Sequence, residues 1–185
     1  MPAEDERNLH RAVLAGDERA WRTLYEASFA AVDAYVLWRC AGLRDLTDDV
    51  VQQTWLTAVR RIRDFDPERS RFVAWLRGIA ANVLRAHFRQ RTPEPLVGDD
   101  YATPPDSGLE RREEAERIAL ALARLPERHE SVLRAKYLDG LSVEAIAAEW
   151  GTTPKTIESL LTRARQAFRA AYVRPEDPLL HEAEP

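Results

Sequence analysis

The stretch Leu141–Phe168, LSVEAIAAEWGTTPKTIESLLTRARQAF, decides how the rest of the chain is organised. Two apolar-periodic segments flank Gly151, separated by a turn of only a few residues. In the first, Val143, Ile146 and Ala147 share one helical face; in the second, Ile157, Leu160, Leu161, Ala164 and Phe168 do the same. Ser142 is placed to cap the first helix, with Glu144 near its positive end. Thr153-Pro154 is a start signal for the second, since proline suits the first helical turn. Small Ala147 lets two such helices pack closely across the glycine turn. This is the helix-turn-helix pattern, whose second helix enters the major groove of DNA. A helical hairpin inside an ordinary bundle would carry the same periodicity. The basic outer face of the second helix, with Lys155, Arg163, Arg165 and Arg169, weighs for DNA.

Composition sets the wider limits. A chain of 185 residues, rich in alanine, aliphatics and tryptophan and poor in glycine, predicts an all-α protein of one domain or two small ones. Cys40 is the one cysteine, which excludes an internal disulfide and a cysteine-based zinc site. His10, His87, His129 and His181 are scattered without ligand spacing, so neither a metal nor another cofactor is expected. No carboxylate cluster or nucleophile–base pair marks a catalytic site, and an enzyme is not expected. No apolar run reaches membrane-spanning length, and the N-terminus lacks a signal peptide's apolar core, so a cytoplasmic protein without membrane insertion is expected.

The net charge of −4 argues against a protein that coats nucleic acid indiscriminately, but its distribution says more than its sum. Between Arg60 and Arg91, nine arginines face three carboxylates; between Glu94 and Arg117, eight carboxylates face three arginines. From Thr152 to Arg174 five cations oppose Glu158 alone. Two basic blocks separated by an acidic one suggest two nucleic-acid surfaces and a spacer.

Working outward, residues 1–8 are polar and expected to fray, and Leu9, Val13 and Leu14 mark a short helix ending near Gly16. Asp17 caps a long helix with Trp21, Leu24, Tyr25, Val32, Tyr35 and Val36 at helical spacing, closed by Gly42. A third helix is predicted from Thr47 or Asp48 to about Arg63, with Val51, Trp55, Ala58, Val59 and Ile62 inward. Asp66-Pro67 breaks the chain, and a fourth helix runs from Arg71 to Gln90. The expected domains are then 1–91 and 109–174, joined by a flexible acidic linker over 92–108 and followed by a disordered tail over 175–185. Further helices are expected from Leu109 to Leu125 and from Glu127 to Leu138.

The segment DDVVQQTWLTAVRRIRDFDPERSRFVAWLRGIAANVLRAHFRQR, Asp48–Arg91, runs from an acidic, glutamine-rich helix start through an Asp-Pro turn into an increasingly basic, aromatic-bearing helix. It closely resembles region 2 of bacterial RNA polymerase sigma factors, and LPERHESVLRAKYLDGLSVEAIAAEWGTTPKTIESLLTRARQAF is similar to region 4 of the same family. Two such regions with only a short linker match the extracytoplasmic-function (ECF) group of the sigma-70 family. The resemblance implies a sigma region 2 helical bundle and a region 4 helix-turn-helix, together a factor that recruits core RNA polymerase to promoter DNA. It implies docking of Asp48, Asp49, Gln52 and Gln53 on the β′ clamp coiled coil, and of the second domain on the β flap. It implies capture of the melted −10 strand by Arg69, Ser70, Arg71, Trp75 and Asn82, with Arg77, Arg85, Arg89 and Arg91 on phosphates. The −35 duplex would be read by Thr153, Lys155, Thr156, Ser159, Thr162, Arg163 and Arg165. An anti-sigma factor is the further partner implied.

Departures matter too. Family members often carry Glu at Gln53 and Gly at Ser70, and commonly Lys-Ser-Arg where this chain has Glu158-Ser159-Leu160. Two positive charges are thereby expected to be missing from the −35 face. About 20 extended residues reach at most roughly 66–72 Å, enough to join promoter elements about 16 base pairs, or roughly 54 Å, apart. Two other functions fit parts of the chain. A stand-alone helix-turn-helix regulator would need a dimer interface, which no helix here supplies. A sigma-like decoy that binds an anti-sigma factor would need a defective clamp-binding face.

Overall fold

The computed structural model describes residues 2–90 and 107–172. Arg91, residues 92–106 of the expected linker and the expected tail lie outside the described residues, and the linker's last two expected positions, Ser107 and Gly108, are instead helical. Among those residues the chain is helical, with eight α-helices and a 3₁₀ turn and no strand. It divides into two compact units, Met1–Ala115 and Glu116–Pro185.

In the first unit, α1 (Ala3–Leu14) packs on α2 (Glu18–Arg39), which in turn contacts α3 (Arg44–Arg61) and α4 (Phe72–Gln90). The expectation of a frayed start is corrected, because α1 begins at Ala3 and buries Glu6 and His10. Asp17 caps α2, its Oδ1 accepting from the N–H of Arg19 at 2.8 Å and of Ala20 at 3.2 Å. At the other end Ala41 (φ 51°) and Gly42 (φ 85°) turn the chain in left-handed geometry, where glycine carries no Cβ penalty.

That turn starts α3 one helical turn earlier than the sequence suggests. Thr47 is buried rather than capping, and its hydroxyl donates to the Leu43 carbonyl at 2.8 Å. Val59 is also corrected. It is 54% exposed, since one residue, about 100° of helix, carries it past the edge of the buried stripe that ends in Ala58. Cys40 is fully buried, and burial pushes its thiol up to about 11, so it stays protonated and inert.

The core of this unit is aromatic. Phe72 is fully buried, with ring centroids 5.2 Å from Phe65, 5.7 Å from Trp75 and 6.4 Å from Trp21. Trp21 also meets Trp55 edge-on at 6.5 Å, tying α2 to α3.

The second unit contains the latter part of α5 (Ser107–Arg124), then α6 (Glu127–Tyr137), α7 (Val143–Glu149) and α8 (Pro154–Tyr172). Both α6 and α7 pack on α8, around Val132, Leu133, Ile146, Ala147, Ile157, Leu160, Leu161 and Ala164. Gly151, at φ 61°, lets the Thr152 N–H donate back to the Ala147 carbonyl at 2.9 Å and closes α7 before α8 begins.

Ser142 caps α7, accepting from the Ala145 N–H at 3.1 Å. The Glu144 carboxyl is held below the usual carboxylate range, first by its own backbone N–H and then by the Ser142 side chain. A carboxylate with a lowered folded-state value adds stability above its unfolded value and loses it as pH falls through the folded one. The second unit should therefore lose stability on acidification below about pH 4. Glu144→Gln should flatten that dependence, and Ser142→Ala should cost about 1 kcal/mol near neutrality. Urea melts at neutral and acid pH check both, and identical pH slopes for the wild type and Glu144→Gln would count against the first.

Candidate nucleic-acid interface

In α4 the three- and four-residue steps from Trp75 through Gly78, Asn82, Arg85 and Arg89 lay these residues along one stripe. Gly78, Asn82, Arg85 and Arg89 are exposed and Trp75 is half-buried. Arg85 donates to the Asn82 Oδ1 at 2.7 Å, which leaves the amide nitrogen of Asn82 as the group available to a base edge. Trp75 stacks at a tilt on Phe65, 5.3 Å between centroids, and is left half-buried by that contact. Arg77 is not brought to this stripe. Its guanidinium lies over the Tyr35 ring of α2 at 5.5 Å, a cation–π contact.

In the loop before α4, Arg69 is exposed and Ser70 half-buried. Arg71 is also exposed, but its side chain is paired with Glu6 at 2.9 Å. The sequence-predicted trio therefore divides: Arg69 and Ser70 face outward, and Arg71 is spoken for within the fold.

On α3, Asp48, Asp49, Gln52 and Gln53 are all exposed. Between them and the helix C-terminus the same face carries Leu56, 43% exposed, and Val59. On α2, exposed Tyr25 packs on Trp55 at 4.6 Å and on exposed Phe29 at 5.3 Å. The acidic and amide residues thus form part of a mixed face that includes apolar side chains. Sequence reasoning missed Leu56 and misplaced Val59. The signal available was their three- and four-residue spacing from Gln52, Gln53 and Leu56.

Thr153, just before α8, and Lys155, Thr156, Ser159, Thr162, Arg163 and Arg165 within it are all exposed. The Thr153 hydroxyl caps the helix, accepting from the Thr156 N–H at 3.2 Å and sharing a 2.8 Å hydrogen bond with the Thr156 hydroxyl. Thr162 donates to the Glu158 carbonyl at 3.0 Å. With these hydroxyls tied locally, Lys155, Ser159 and the guanidinium ends of Arg163 and Arg165 are the groups most open to DNA. Arg165 donates to the Tyr137 hydroxyl at 3.0 Å and lies over that ring at 5.9 Å, a contact from α6 that orients it. Leu160 is corrected. It is only 4% exposed, among the core residues of the unit, so this position does not belong to the exposed face. Only Glu158 departs on the exposed face.

Among the described residues, no group of three or more His, Cys, Asp and Glu side chains could hold a metal ion. Nor is any helix there long and apolar enough to cross a membrane.

Residues 24–94 match the family model for sigma-70 region 2, and residues 115–168 that for sigma-70 region 4. The chain is 35% identical to the ECF RNA polymerase sigma factor EcfG of Rhodopseudomonas palustris (strain TIE-1), over 70% of this chain and 73% of that protein. It is 30% identical to the ECF RNA polymerase sigma factor BldN of Streptomyces coelicolor, over 88% of this chain, and spans 63% of BldN's length. The solved structure of CnrH in complex with the cytosolic domain of CnrY is similar at a TM-score of 0.50 and 28% identity, covering 90% of this chain and 96% of that one.

Proposed function

The chain belongs to the ECF group of sigma-70 RNA polymerase factors, which direct promoter-specific transcription initiation, and on that footing we propose a two-point grip on promoter DNA held by one contact with polymerase. The first unit docks on the β′ clamp coiled coil through Asp48, Asp49, Gln52 and Gln53, with Leu56 and Val59 supplying the apolar centre of the contact. The second unit rests on the β flap and presents α8 to the −35 duplex, where Lys155, Ser159, Arg163 and Arg165 lead. Once the duplex opens, Arg69, Ser70, half-buried Trp75 and Asn82 receive the −10 strand, while Arg85 and Arg89 hold phosphates. Nucleotide addition belongs to the polymerase. CnrH is solved in complex with the cytosolic domain of CnrY, and a protein partner of the anti-sigma kind is proposed here too, one that would hold this chain inactive.

The observation that carries this reading is the mixed α3 face, exposed beside a separate arginine stripe on α4. A stand-alone regulator has no use for it. Run-off transcription with purified core polymerase, on promoters selected from a random library, is the test. Transcription that starts only when this chain is added is the expected result. Binding to duplex DNA without initiation would instead favour a stand-alone helix-turn-helix regulator.

A further inference from the structure

The function proposed above makes no use of α1, yet α1 holds both ends of the loop between α3 and α4. At the first end, the His10 Nε2–H donates to the Ile62 carbonyl at 3.1 Å, and the imidazole meets Phe65 edge-on at 5.1 Å. At the second end, the Glu6 side chain is 5% exposed. Its Oε1 accepts from Arg71 Nε at 3.1 Å and Nη2 at 2.9 Å, and its Oε2 accepts from the Phe72 N–H at 3.0 Å. One carboxylate from 65 residues away therefore caps α4 and fixes the last arginine of the loop. Between the two anchors the turn closes on itself. The Asp66 carboxylate accepts from the Glu68 N–H at 2.9 Å, and the Asp66 carbonyl from the N–H groups of Arg69 at 3.1 Å and Ser70 at 3.3 Å. A buried carboxylate parted from its cation is strongly disfavoured, so the clasp holds the loop in one shape before any ligand arrives.

We propose that Glu6 is a positioning residue for base selection: by clasping Arg71 and the α4 N-terminus it sets the presentation of Arg69 and Ser70 to the opened −10 strand. This inference rests on the functional reading above. Arg71 then acts through Glu6 rather than on DNA, and the N-terminal helix becomes a determinant of which base the loop accepts.

The test uses full-length chain with purified core polymerase, bound to single-stranded −10 oligonucleotides randomised across the element, with the base profile of the bound fraction read by sequencing. Glu6→Gln keeps the shape and an acceptor for the Phe72 N–H but removes the charge that holds Arg71. It should flatten the preference at one or two positions by about fivefold or more, as expected when preorganisation is lost, with core-polymerase affinity unchanged. Arg71→Met, which leaves the Phe72 cap in place, should flatten the same positions and keeps the proposal testable should Glu6→Gln not fold. Tighter binding by Glu6→Gln with an unchanged profile would mean that Arg71 is a DNA contact held in reserve, and would overturn the proposal. So would uniform weakening by Arg71→Met with the profile intact. A wild-type complex without base preference would sink the functional reading itself, whereas a selective wild type matched by an equally selective Glu6→Gln would sink only the clasp.

Discussion

Leu160→Arg should strongly destabilise the second unit instead of strengthening its hold on DNA. By family pattern alone the substitution restores a charge, but position 160 lies in the core beside Ile157, Leu161 and Ala164. Burying an unpaired guanidinium there should cost on the order of 3–5 kcal/mol. A unit of this size has only about 4–10 kcal/mol to lose. The contrasting change is Glu158→Lys, on the exposed face. It should leave the melt unchanged, raise affinity for −35 duplex about tenfold at low salt and steepen the salt dependence by roughly one to two phosphate equivalents. Thermal melting and salt-titrated duplex binding of the two variants decide the matter. A stable Leu160→Arg protein with improved DNA binding would refute this placement of the α8 faces.

The second large effect is expected at Leu56. It sits amid exposed Asp49, Gln52, Gln53 and Val59, and its 43% exposure means that folding gains little from it. At the centre of a docked surface an apolar side chain is worth about 2 kcal/mol or more, so Leu56→Glu should weaken binding to core polymerase roughly thirtyfold. The melting temperature and the affinity of the second unit for −35 duplex should stay at their wild-type values. Full retention of polymerase affinity would remove Leu56 from the interface. A matching drop in melting temperature would mean the residue supports the fold.

Most helices are legible because their signals are local. Each helix closes hydrogen bonds four residues apart, so its apolar period and its caps must be written in adjacent sequence. Asp17 and Ser142 each bond the backbone two or three residues on, and residue type and position alone mark both as caps; Thr153, read only as part of a start signal with Pro154, caps α8 in the same way. The exposed polar faces of α3 and α8 follow from the same period. Where the signal is not local, the sequence misleads. The start of α3 is set by the left-handed turn at Ala41 and Gly42 rather than by a capping side chain. Arg77 and Asn82 carry the same promise in a linear reading, yet only the neighbouring helix shows that Arg77 lies on Tyr35.

Sequence by itself thus determined an all-helical chain, the helix-turn-helix, the separate basic surfaces and the family to which they belong. Tertiary structure decided which charged groups are free for a partner. Leu160 is core, Leu56 and Val59 are surface, and Arg71 is held by Glu6. The reason is physical. Helical periodicity is a property of neighbours along the chain, whereas a pairing across 65 residues exists only once packing has brought two helices together and excluded water from the carboxylate between them.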